Sequence, residues 1–130
     1  MHEITELTNP RPLKAKEEEL LNFLLSKPFP GRDALRAQLK SVRVMTDCKD
    51  CPTIELAVDQ TTGPVATVKA RVPIEAEGFD SDGVRIHLLL HVVDGLLSEL
   101  EIFREDVNPI LNLPSPDSLN LVNYGFGQKS

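Results

Sequence analysis

Tryptophan is absent from this 130-residue chain, tyrosine occurs once, and five phenylalanines complete the aromatic set, so the interior has to be aliphatic. Cationic side chains are also scarce: 14 Lys plus Arg stand against 20 Asp plus Glu, a formal charge of −6. Neutralising duplex phosphates needs a surplus of Lys and Arg, so nucleic acid is excluded as a partner and basic proteins are favoured. Apolar stretches such as Leu20 to Leu25 fall far short of the roughly 20 residues of a membrane-spanning helix, and no membrane partner is expected. The first ten residues carry Glu3 and Glu6 and no apolar run, unlike a secretory or transit peptide, which points to the cytoplasm. Two cysteines, Cys48 and Cys51, cannot form a disulfide scaffold, and in that compartment they stay reduced. The chain also lacks a phosphate-cradling glycine loop, a nucleophile elbow and a His-Glu-x-x-His helix, so no cofactor is expected and the protein is not read as an enzyme.

What is present is ordinary for a globular chain: 41% hydrophobic and 26% charged residues. A chain of this length holds one core without staples, giving a single domain over 1–130, with 1–10 and 125–130 expected to be flexible.

From Leu13 to Lys27, Leu13, Leu20, Leu21, Leu24 and Leu25 recur at helical spacing, with Pro12 at the entry and Pro28 at the stop. Beyond Phe29-Pro30-Gly31, a second helix over Arg32 to Lys40 places Ala34, Leu35 and Leu39 on one side. After Lys40 the period changes to two. Strands are predicted from Val42, over Ile54 to Val58, over Val68 to Ile74, over Val84 to Val93 and over Leu96 to Arg104, with an acidic loop at Glu75 to Gly83. Pro109, Pro114 and Pro116 then leave an irregular C-terminal arm. The fold class is α+β: two N-terminal helices on a mostly antiparallel sheet of about five strands.

Register in the last hairpin follows from burial. A two-residue turn at Asp94-Gly95 would put Glu99 and Glu101 on the face of Leu88 and Leu90, so a three-residue loop with a Gly95 bulge is expected, setting His87 across from Glu101 on the solvated face.

Chemistry is thinly signposted. Cys48-Lys49-Asp50-Cys51 could supply half a zinc tetrahedron, but His87 and His91, four apart on a strand, lie roughly 13 Å from each other and cannot share one ion, so no metal is assigned. Asp47 and Asp50 would raise the thiol pKa, which argues against a redox pair. His87 and His91 with Glu99 and Glu101 could form an acid–base set, or simply cross-strand pairs on a solvated face. The carboxylates are more telling as a population: Glu75, Glu77, Asp80 and Asp82 precede the hairpin, and Glu99, Glu101, Glu105 and Asp106 follow its turn.

Several marks carry a resemblance: Phe29-Pro30-Gly31-Arg32-Asp33-Ala34-Leu35, Cys51-Pro52-Thr53-Ile54, and Leu90 to Gly95 followed by Leu97 to Arg104. Over Arg11 to Pro114 the chain resembles a family of small bacterial proteins of unassigned role, and its size and acidity are similar to those of immunity proteins that neutralise toxins. That second likeness implies a binding protein that occludes a cognate basic toxin domain, such as a nuclease. The expected contacts are Glu99, Glu101, Asp80, Asp82, His87 and Glu55. The rival readings are a metal-binding regulatory module using Cys48 and Cys51, and a small enzyme built around His87 or His91.

Overall fold

A computed structural model describes residues 3–49, 52–59, 64–68 and 70–123, with the side chains of 3–9, 47–49 and 123 outside that description. Along the chain run β1 (Glu3–Arg11), α1 (Ala15–Leu24), α2 (Arg32–Gln38), β2 (Arg43–Lys49), β3 (Ile54–Ala57), β4 (Ile74–Phe79), β5 (Arg85–Val93), β6 (Leu96–Arg104), a 3-10 turn (Pro116–Ser118) and β7 (Asn120–Asn123). One sheet holds all seven strands in the order β1-β2-β3-β6-β5-β4-β7, and every neighbouring pair is antiparallel. The class is α+β as expected, with seven strands among the described residues instead of about five.

The two additional strands are the edges. Residues 3–11, within and just beyond the 1–10 stretch expected to be flexible, pair with β2, Glu3 opposite Lys49 and Thr5 opposite Asp47; their polar composition hides a strand that borrows its ladder from a neighbour. At the other edge β7 pairs with β4, Val122 opposite Glu75, after three prolines that made the arm look irregular throughout. The predicted strand over Val68 to Ile74 is displaced: 64–68 and 70–73 are irregular, and pairing begins at Ile74, after Pro73, which has no N–H to donate. The expected acidic loop therefore shrinks to 80–84, and Glu75 and Glu77 belong to β4. Gly78, inside the stretch expected to be that loop, lies within β4. Its role is steric, since a Cβ there would lie 2.8 Å from Leu119 Cδ2, where the 3-10 turn crosses the strand.

Within the β5–β6 hairpin the one-residue shift demanded by burial exists, but in a different place. Asp94 (φ 53°) and Gly95 (φ 77°) form a two-residue turn of the primed kind, pairing Val93 with Leu96 and Val92 with Leu97. Ser98 is then an extra residue, and the ladder resumes with His91 opposite Glu99 and Leu90 opposite Leu100. Leu88, Leu90, Leu100 and Ile102 end on one face, as the burial argument requires, while Leu97 is buried in place of Leu96.

Both helices cover that face. Leu20, Leu21, Leu24, Leu25 and Leu35 pack onto Val44, Ile54, Ile74, Ile86, Leu88, Leu90 and Leu100, an aliphatic core as the composition dictates. Each such leucine contributes about 1.5–3 kcal/mol by leaving water. One polar residue is sealed among them. Gln38 at the end of α2 donates from Nε2 to the carbonyls of Pro64 (2.8 Å) and Gly95 (2.9 Å) and accepts from Leu97 N–H (2.9 Å), tying the helix to the hairpin turn. On the N-terminal side Arg11 makes a two-pronged pair with Glu17 (3.0 and 2.9 Å), joining the end of β1 to the first turn of α1.

Candidate functional site

The face away from the helices carries the alternate residues of the four central strands: Glu55 on β3, Glu99, Glu101 and Phe103 on β6, His87, Leu89 and His91 on β5, and Glu75 and Glu77 on β4. Sheet pairing gathers the middle of this set. Glu55 stands directly opposite Glu99, and Glu99 directly opposite His91, so three strands bring two carboxylates and an imidazole into one row. Glu101, the next outward position on β6, completes the group.

His91 organises the cluster. Its Nε2 lies 2.8 Å from Glu101 Oε1, and its Nδ1 lies 3.0 Å from Arg71 Nε. Arg71 Nε–H only donates, so Nδ1 is the accepting nitrogen and the ring proton sits on Nε2, where it is donated to Glu101; the tautomer follows from these partners. The imidazole is largely covered, with 13% side-chain exposure, whereas Glu101 retains 37%. Glu99 is different. Burial pushes its carboxyl above the usual carboxylate range; the nearby charges of Glu101 and Glu55 add to that rise, and His91 and Arg71 oppose it. Among the described residues no hydrogen bond reaches the Glu99 carboxylate. One donor atom from each of His91, Glu99 and Glu101 falls within 4.8 Å of the other two.

His87 belongs to a neighbouring group, and the expected pairing with Glu101 is corrected. The bulge at Ser98 slides β6 so that His87 faces Phe103, with ring centroids 5.1 Å apart and planes 23° from parallel. Its Nε2 lies 2.9 Å from Glu105 Oε1. Beside it Arg85 covers the Phe79 ring at 5.5 Å and approaches Glu77 at 3.6 Å.

Asp80 and Asp82 are not part of this face. Arg104, an inward-facing residue at the end of β6, donates from Nη1 to Asp80 (2.9 Å) and Asp82 (3.0 Å) and from Nη2 to Asp106 (2.7 Å). Burial would drive the Asp80 carboxyl upward. The backbone N–H groups of Leu111, Asn112 and Ser81, together with Arg104, outweigh that and hold it well below the ordinary range. Asp106 is likewise held low, first by Arg104 and then by the N–H of Asn108. The Asp80 side chain has no exposed surface, so its carboxylate is occupied inside the protein, where it pins the 105–115 segment to the sheet. Asp82 keeps 41% exposure beside Arg104.

Of the residues predicted from sequence, the structure brings Glu55, Glu99 and Glu101 together, sets His87 along the same strand face, and places Asp80 and Asp82 in a separate knot. Cys51 lies outside the described residues, as does the side chain of Cys48. Sequence reasoning missed Arg71 and Arg104. Arg104 had a signal, since it continues the inward parity of Leu100 and Ile102 and an inward arginine requires carboxylates. Arg71 had none, because its contact with His91 spans twenty positions and arises from an irregular segment.

The chain belongs to the family described as a domain of unknown function, DUF6984, whose model matches residues 10–114. No curated protein and no solved structure matches it. Among the described residues, no helix is long and apolar enough to cross a membrane.

Proposed function

We propose that the protein is a binding protein, and specifically a cytoplasmic immunity protein that neutralises a basic bacterial toxin domain by occlusion. One observation carries this reading: Glu55, Glu99 and Glu101 share a helix-free sheet face, and the Glu99 carboxylate is partly desolvated yet accepts no hydrogen bond from the described residues. A desolvated carboxylate flanked by two others is held at an energetic disadvantage that an incoming Lys or Arg relieves, and complementary charge also speeds the encounter. The rigid strands need no rearrangement to present these groups, which favours occlusion by a preformed surface. A toxin nuclease fits the partner chemistry, because a surface that holds phosphate is basic.

The test is capture with the tagged chain from source cells, followed by coexpression of the captured protein. The expected result is a basic effector domain whose toxicity the chain suppresses, with capture lost when Glu99 and Glu101 are both replaced by Lys. Recovery of no basic effector, or capture unchanged by the double replacement, refutes the reading.

A further inference from the structure

We infer that His91, Glu99 and Glu101 form a binding site for one first-row divalent cation of the zinc type, whose place Arg71 holds electrostatically in the metal-free protein. The inference goes beyond the binding reading and needs no partner protein.

Donor chemistry is the first argument. An imidazole nitrogen with two carboxylates is a set that borderline divalent ions accept, with a coordination position left for water, whereas calcium takes six to eight oxygens. Geometry is the second. Two ligands of a tetrahedral ion at about 2.1 Å are separated by about 3.4 Å. The three donor atoms already lie within 4.8 Å of one another, so the glutamate ends need to close by no more than about 1.4 Å. All three residues stand on paired strands, His91 directly opposite Glu99, and the backbone fixes their spacing. Charge is the third. Glu55, opposite Glu99, adds a further carboxylate beside the set, so the field at the centre is anionic.

Arg71 gives the site its distinctive behaviour. A metal at Nε2 of His91 moves the imidazole proton to Nδ1, with no net proton released from the ring. Nδ1–H then meets Arg71 Nε–H, donor against donor, and the guanidinium has to swing out. It can do so locally, because Arg71 is exposed and its carbonyl remains bonded to Val92 N–H (2.7 Å). Arg71 therefore competes with the metal, and a side chain that offers a carbonyl to Nδ1–H instead supplies the outer partner that metal-bound histidines use.

The test is calorimetric titration of zinc chloride into the untagged full chain carrying Cys48→Ser and Cys51→Ser, so that no thiol competes, with amide NMR spectra recorded in parallel. One equivalent of zinc is expected to bind, shifting the resonances of His91, Glu99 and Glu101. Glu99→Gln and Glu101→Gln each weaken binding by at least about tenfold, while Arg71→Gln strengthens it several-fold. Absence of binding at millimolar zinc, unchanged affinity in Glu99→Gln, tighter binding of calcium than zinc, or weaker binding in Arg71→Gln overturns the site. Circular dichroism of each variant confirms the fold, and Arg71→Gln, an exposed change, keeps the test open if a glutamate variant fails to fold. No partner protein enters the titration, so its result stands apart from that of the capture experiment.

Discussion

Two groups of carboxylates sit at opposite sides of one sheet, and their energetics differ in sign. Around Arg104, Asp80 and Asp106 are met by a guanidinium and by backbone N–H groups, and both ionise more easily than in the unfolded chain. Around His91, Glu99 ionises less easily, because burial is compounded by Glu55 and Glu101. The first group is satisfied, with Asp80 fully covered, and it contributes to the fold. In the second, Glu99 accepts no hydrogen bond from the described residues, and it weighs on the fold. Residues held at a local disadvantage where the rest of the sheet is well packed mark the place where a protein is built to meet something else.

The sharpest way to break this contrast is Arg104→Met. Removing the guanidinium leaves the fully covered Asp80 carboxylate without its cation, and the loss of stability in urea should exceed that of any other substitution named here. If Arg104→Met unfolds no earlier than the parent, the closed group is not structural. Next comes Gln38→Ala, which leaves the Leu97 N–H without its acceptor and takes a donor from the carbonyls of Pro64 and Gly95, the second of which still accepts from Ala66 N–H; about 1–3 kcal/mol should be lost, measured by the same denaturation. It calibrates what a satisfied polar residue is worth in this interior. On the open side the effect should reverse. Glu99→Gln removes a like-charge pair with Glu55 and should leave the chain as stable as before or up to about 0.5 kcal/mol more stable at pH 7. A clear loss of stability there would mean that the carboxylate supports the fold.

Acidification separates the two groups in one experiment. Unfolded aspartates titrate near 3.9. Asp80 and Asp106 titrate lower in the folded protein, so their contribution is complete above about pH 5 and is lost as the pH falls below about 4 towards their folded values. Glu99 titrates higher when folded than the unfolded value near 4.3, so its penalty is absent in acid and grows as the pH rises through that range. Urea midpoints collected from pH 3 to pH 7 should therefore fall in acid for the parent, while the advantage of Glu99→Gln over the parent shrinks to nothing at the acidic end. An advantage that persists at pH 3 would show that charge is not its cause.

Much of the architecture was legible because burial leaves a periodic trace. Leu20, Leu21, Leu24 and Leu25 announced α1, and the alternation Ile86, Leu88, Leu90 announced β5 together with the face it buries. The edge strands left no such trace, since β1 and β7 take their hydrogen bonds from neighbours and their sequences lack the apolar alternation of the inner strands. The candidate face was half legible. Parity alone put Glu55, Glu99 and Glu101 outside, but parity does not say which residues meet across strands, so His87 was matched to Glu101 when its neighbours are Phe103 and Glu105. Asp80 shows the reverse failure: density of charge in sequence suggested a solvated loop, and a single inward arginine drew that carboxylate inside.

Ser98 has the widest consequence for how this chain can change. Because it is supernumerary in its strand, deleting it would set Glu99 directly after Leu97 with every cross-strand pair unchanged, so Glu99 and Glu101 would stay outside while Leu100 and Ile102 stayed among the leucines. One residue inserted beyond Ser98, with the turn kept in place, would instead make every later side chain trade sides. The ribbon therefore has one residue of slack, and its length is freer to shrink at Ser98 than to grow beyond it.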